Sequence, residues 1–286
     1  MHSMWRKCAI ALLLLTCCGP AAADHHVEPF TRSELRAHAA EVGVTLLTTP
    51  FSSSYLYVPS DGRASHPGVI VLHGSEGGSA DYVDWSPAIP LAAKGYAVLS
   101  LDYFHNPGLP HSLENASVDA VIRAAIWLRT NGYVKGKPGL LGFSRGAEFA
   151  LLIGSLDRGR QFSSIVVQSS HATTWPGLVL PPLGSDCEFC DYASGQPAWR
   201  FKGKGIGAFQ AIDMWRFPGP VLLSHGKKDD VWSYLESVTL ARVARLHGKK
   251  NVTLLLWSKE GHGLSSPALN SLIRKSATFF RKPTGA

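Results

Sequence analysis

Short apolar runs alternate along most of the chain with longer stretches whose apolar positions recur every three or four residues. The run 68–72 (GVIVL) has no polar position on either face, which predicts a strand covered on both sides, as in parallel sheets. The same pattern predicts buried strands at 97–101, 139–143, 165–168, 221–224 and 252–257, with 55–58 as a candidate first strand. Helical spacing predicts helices at 85–94, 113–131, 145–156, 233–247 and 267–281; in the second, Val118, Val121, Ile122, Ala125 and Leu128 fall on one face. Strands and helices in this order predict an α/β fold, a mostly parallel central sheet flanked by helices. One stretch departs from the alternation. Residues 170–219, rich in Gly and Pro and carrying Trp175, Trp199 and Trp215, are far longer than an ordinary connection. They are expected to form an insertion before the strand at 221–224, either shaping a substrate site or packing as a surface elaboration.

Composition narrows the class without naming a function. With 45% hydrophobic and 17% charged residues, no repeat and no low-complexity tract, the chain is expected to be globular. Met1 to Lys7 form a positive segment, 9–15 an apolar one, and Ala21-Ala22-Ala23 a small-residue cleavage site, so 1–23 reads as a signal peptide and the protein as exported, periplasmic or secreted. A lipoprotein signal fits Cys17 and Cys18 poorly. Arg6 and Lys7 account for two of the formal charges of +7, leaving +5 on the mature chain, too diffuse to indicate nucleic acid. No stretch reaches the length of a membrane span. The leader also takes Cys8, Cys17 and Cys18 with it. Cys187 and Cys190 remain, and an even pair in an exported protein reads as a disulfide.

The strongest chemical signal is Gly142-Phe143-Ser144-Arg145-Gly146, placed between a predicted strand and an apolar helix. A G-x-S-x-G turn in that setting is a nucleophile elbow, its glycines small enough for the tight turn that lifts Ser144 above the sheet. A free hydroxyl needs a general base, and the base an orienting acid. His262, in Glu260-Gly261-His262-Gly263 after the last strand, is the expected base; His225, closing its strand, and His247, at a helix end, read as structural. For the acid, Gly226-Lys227-Lys228-Asp229-Asp230 offers two carboxylates, and the Gly-x-x-Asp spacing favours Asp229. The backbone N–H of Arg145 is the first oxyanion donor; the second falls in His73-Gly74-Ser75-Glu76, with Ser75 preferred to Glu76. Glu76, His171 and Trp232 are candidate pocket residues, and Glu148 is expected to complement the helix dipole. No phosphate fingerprint, zinc motif or nicotinamide site is visible, so no cofactor or metal is expected and the expected partner is a small-molecule substrate.

From these residues the chain is identified as a member of the α/β-hydrolase superfamily, over about 68–281. Its segments GFSRGAEFALL (142–152), WRFKGKG (199–205), GKKDDVWS (226–233) and KGYAVLSLDYF (94–104) resemble the carboxyl-terminal domain of the acyl-CoA thioester hydrolase and bile acid-CoA:amino acid N-acyltransferase family. Dienelactone-hydrolase-like esterases are the near rival. The resemblance implies one α/β-hydrolase domain over 24–286, with Ser144, Asp229 and His262 as nucleophile, acid and base. Three departures limit the transfer. The amino-terminal β-sandwich of eukaryotic members is not expected, the nucleophile is Ser rather than the Cys of the amino-acid-conjugating members, which favours water as acceptor, and export separates the protein from cytosolic acyl-CoA. The expectation is an exported serine hydrolase of esters or thioesters, with an acyltransferase or acyl-CoA thioesterase of the same fold, or a non-catalytic binding protein, as alternatives.

Overall fold

Alternate side chains of the central strands enter two different apolar layers. In β3 (Gly68–Leu72), Ile70 and Leu72 join one layer, Val69 and Val71 the other, and all four are fully buried. That period of two is the geometry of a strand, with helices supplying the far side of each layer. The computed structural model of the chain describes residues 30–78, 87–179 and 192–281. The leader and the Cys187–Cys190 pair lie outside the described residues.

Among the described residues, eight strands form one sheet. In spatial order they are β1 (Val44–Thr48), β2 (Tyr55–Pro59), β4 (Ala97–Ser100), β3, β6 (Gly139–Phe143), β7 (Ile165–Gln168), β12 (Val221–Gly226) and β13 (Val252–Trp257). The first two join antiparallel, β2 also meets β4 antiparallel, and every later neighbour pair is parallel. One face carries α3 (Val118–Thr130), α4 (Arg145–Asp157) and α5 (Leu235–Leu246), through side chains such as Val121, Phe149 and Leu240. The other carries α1 (Arg32–Glu41), α2 (Ile89–Ala92) and α6 (Ser266–Phe280), through Leu35, Ile89 and Leu272. The mostly parallel sheet with helices on both faces is the architecture expected from the alternation.

The boundaries that differ have local causes. Helix α1 and strand β1 precede the expected first strand, and the signal for α1 is a capping box: the Thr31 hydroxyl accepts from the Glu34 N–H at 3.3 Å, and the Thr31 N–H donates to the Glu34 carboxylate at 2.7 Å. Helix α3 begins at Val118 and not at 113, because Ala116–Ser117 (β5) pairs parallel with Trp199–Phe201 (β10) and the Ser117 hydroxyl then caps the helix. The insertion holds its own strands. Pro176–Val179 (β8) pairs with Tyr192–Pro197 (β9), and β10 forms a hairpin with Lys204–Ile206 (β11). Its three tryptophans part ways. Trp199 is fully buried and stacks on Phe149 of α4 at 4.2 Å, Trp215 stacks on His247 at 4.3 Å, and Trp175 is half-buried beside Trp232.

Candidate active site

The turn between β6 and α4 is strained at one residue. Ser144 has φ 50° and ψ −119°, a conformation L residues rarely adopt and which costs about 1–3 kcal/mol. Its neighbours make the turn possible by having no side chain. A Cβ on Gly142 would collide with the Gly146 carbonyl, and one on Gly146 with the carbonyls of Leu72 and His73 on β3 and its following loop. The elbow therefore needs glycine at both places, and the main chain of α4 comes down onto the end of β3.

The loops after β12 and β13 reach the same place. His262 Nε2 lies 2.9 Å from Ser144 Oγ, and His262 Nδ1 lies 2.9 Å from Asp229 Oδ2. With Nδ1–H donating to the carboxylate, Nε2 is free to accept the serine proton. The Asp229 side chain is fully buried, and Oδ1 accepts the N–H groups of Trp232 and Val231 at 2.8 and 3.0 Å. Burial works against its charge, yet the hydrogen bonds from His225, His262 and the Trp232 amide outweigh it and hold Asp229 well below the usual carboxylate range. Asp230 is exposed, and the carboxylate contacts of this cluster belong to Asp229. Asp229→Ala is expected to cost at least 100-fold more kcat than Asp230→Ala, roughly the scale of losing the orienting carboxylate of a triad. Steady-state kinetics of the two variants check it, and equal losses would refute the choice of Asp229.

The remaining expected residues fall around this series in different ways. Gly74 lies directly against Ser144, and its N–H donates to the exposed Glu76 carboxylate at 2.7 Å; half-buried Ser75 stands on the turn between them. Trp232 sets its ring edge-on to His262 at 5.7 Å, and His171 and Trp175 pack on Trp232 at 5.5 and 6.0 Å. Phe209 extends this apolar wall outward at 6.1 Å from Trp175 and is 68% exposed. His73 is buried, its Nδ1 is 3.0 Å from the Gly74 carbonyl oxygen and its ring is stacked on Tyr103; burial pushes its pKa down to about 3, so it stays neutral and props the loop.

Several groups at this site had no signal in the motifs. Gln168 and Ser169, at the end of β7, both donate to the His262 carbonyl oxygen and so fix the loop that carries His262. Glu148 does more than face a helix dipole. Its fully buried carboxylate pairs with Arg145 at 2.9 Å and accepts the Trp175 N–H and the Trp199 indole N–H. Arg145 in turn donates to the Pro176 carbonyl at 2.9 Å and lies over the Trp199 ring. Burial pushes the Glu148 carboxyl upward, and Arg145 together with the two tryptophan donors opposes it. The pair thus pins the insertion to the helix that starts after Ser144. A search of sequence spacing for an i, i+3 opposite-charge pair at the start of an apolar helix would have found it.

The sheet order and the elbow define an α/β-hydrolase. More narrowly, the chain belongs to the prolyl oligopeptidase family, Peptidase_S9, whose family model matches residues 88–285. Among curated proteins it is similar to acyl-coenzyme A thioesterase 6 of Mus musculus, 27% identical over 226 residues covering 74% of this chain and 52% of that protein. It is also similar to acyl-coenzyme A thioesterase 1 of Homo sapiens, 26% identical over 224 residues with the same shares, so the chain spans about half the length of these relatives. Two solved structures share the fold. A Klebsiella pneumoniae protein assigned to the dienelactone hydrolases matches with a TM-score of 0.57 and 14% identity, over 80% of this chain and 92% of that one. Est1E from Butyrivibrio proteoclasticus, solved with ferulic acid, matches with a TM-score of 0.57 and 17% identity, over 84% of this chain and 97% of that one. Both the thioesterase likeness and its esterase rival are found.

Proposed function

We propose that the chain is an exported serine hydrolase that cleaves a carboxylic ester or thioester through an acyl-enzyme. The observation that carries this reading is the hydrogen-bonded series Ser144–His262–Asp229, set on a strained elbow beside an apolar wall. Ser144 Oγ attacks the carbonyl carbon as its proton passes to His262 Nε2; the tetrahedral oxyanion is held by backbone N–H groups, with Arg145 and Ser75 as the donors. Collapse expels the alcohol or thiol, which takes the proton from His262. Water then repeats the sequence on the acyl-enzyme and releases the acid. Asp229 keeps Nδ1 protonated and stabilises the imidazolium, without itself taking the proton. The wall of Trp232, His171 and Trp175 lines the approach to His262 and receives the apolar part of the substrate.

Export and likeness pull in different directions on the substrate. The thioesterase relatives favour a thioester, while the leader and the Cys187–Cys190 pair read as a disulfide favour a simple ester outside the cytosol. Compartment limits which substrate is present, whereas fold does not set function, so the ester is preferred. A second reading is favoured by the family itself: membership of the prolyl oligopeptidases makes a small peptide amide a candidate for the same machinery. The test is labelling of Ser144 by a fluorophosphonate probe, followed by kcat/KM on p-nitrophenyl esters, acyl-CoA thioesters and peptide p-nitroanilides. Labelling at Ser144 with the highest kcat/KM on an ester is the expected result. A markedly higher value for acyl-CoA or for the anilides would move the substrate, and absence of labelling would favour a non-catalytic binding protein.

A further inference from the structure

Asp229 is held by two imidazoles, and one of them lies away from the nucleophile. His225, the fifth residue of β12, is fully buried. Its Nε2 lies 2.9 Å from Asp229 Oδ2 and 3.0 Å from the Trp232 carbonyl oxygen. Both are acceptors, so Nε2 carries a proton and donates. Its Nδ1 lies 2.8 Å from Ser237 Oγ on α5, which is 3.0 Å from Ser170 Oγ just past β7, and both serines are buried. In the neutral ring, Nδ1 accepts from the Ser237 hydroxyl, which accepts from the Ser170 hydroxyl. Every polar atom of this buried series then has a partner, and the tautomer of His225 is set.

A carboxylate turns easily about its last side-chain bond, and a triad acid must present one edge to its histidine. The anchors divide the work. Two backbone N–H groups take Oδ1, and His225 takes Oδ2, so the plane of the carboxylate is fixed with its remaining edge toward His262 Nδ1. We infer that His225, backed by Ser237 and Ser170, is a positioning residue that orients Asp229 and ties it to β7 and α5. This rests on the reading of Ser144, His262 and Asp229 as a catalytic series.

The test compares His225→Leu with His225→Gln, whose side-chain amide offers an N–H where Nε2–H stands. His225→Leu is expected to lower kcat roughly 10- to 100-fold, the scale of one hydrogen bond to an ionised carboxylate, with KM nearly unchanged. His225→Gln is expected to recover most of that loss. Nitrogen-15 NMR of the wild-type protein should show His225 as the Nε2–H tautomer, with a slowly exchanging ring proton. A folded His225→Leu variant with wild-type kcat, a loss carried by KM, or a Gln variant no better than Leu would overturn the inference. If His225→Leu fails to fold, the spectrum decides, and an Nδ1–H tautomer overturns it. Labelling of Ser144 in the wild type, and its loss in Ser144→Ala, tests the underlying reading separately, so the two can fail independently.

Discussion

Ser144→Ala is expected to lose about 10^4 to 10^6 in kcat, His262→Ala a similar amount, and the double variant hardly more than either, because groups that act as one unit do not contribute additively. The physical reason lies in the two 2.9 Å hydrogen bonds. Without the serine there is no atom to acylate, and the imidazole has nothing to deprotonate. Without the imidazole the hydroxyl keeps its proton. KM for a small ester should move little in either case, since the apolar wall of Trp175 and Trp232 is left in place. Steady-state kinetics on one p-nitrophenyl ester, with thermal unfolding to show that each variant is folded, check the prediction. A Ser144→Ala enzyme within tenfold of wild type would remove the mechanism, and a double variant losing the product of the two single factors would show that the residues act separately.

Glu148→Ala is expected to be the most damaging change away from the reacting atoms, with a loss of about 3–5 kcal/mol, the range for breaking one side of a buried ion pair. The alanine leaves the buried Arg145 guanidinium without its carboxylate, and it also deprives the Trp175 N–H and the Trp199 indole N–H of their acceptor. Tm should fall on the order of 10 °C for a chain of this size. Activity should fall as well, since Trp175 belongs to both the pinned insertion and the wall near His262. Glu236→Ala is the comparison. That carboxylate, 30% exposed and 3.7 Å from His171 Nε2, is expected to contribute under about 1 kcal/mol. Unfolding of Glu148→Ala within two or three degrees of wild type, by calorimetry or circular dichroism, would refute the importance of the pair.

Much of the architecture is local in origin, which is why it is legible along the chain. The apolar runs at 68–72, 139–143 and 165–167 coincide with β3, β6 and most of β7 because a strand covered on both faces is apolar on both, the polar Gln168 coming only at the end of β7 where it reaches the His262 carbonyl. The elbow is legible for the same kind of reason. Gly142 and Gly146 are required by backbone atoms a few residues away or on the adjoining strand, and the five-residue pattern carries that requirement. Where the expectation stopped short, the determinant was a partner distant in the chain. The start of α3 depends on β10, more than eighty residues later, and the strands of the insertion depend on one another across a Gly- and Pro-rich stretch with little periodicity.

The amino-acid sequence by itself determined the α/β class, the run of the parallel strands and the place of Ser144 on its turn, because these follow from periodicity and from the size of side chains near one another in the chain. The Gly-x-x-Asp spacing already favoured Asp229 over Asp230, and the tertiary structure supplied the contact itself, the 226–232 loop turning Asp229 inward to His262. It also decided that His225 shares Asp229, and that Glu148 and Arg145 hold Trp175 and Trp199 over the elbow. Arg145 with Glu148 and His225 with Asp229 are close in the chain, but Asp229 with His262 and Glu148 with Trp175 and Trp199 join residues tens of positions apart with no repeating spacing, so those partners are chosen by the packing of the sheet, its helices and the insertion and not by any pattern written along the chain.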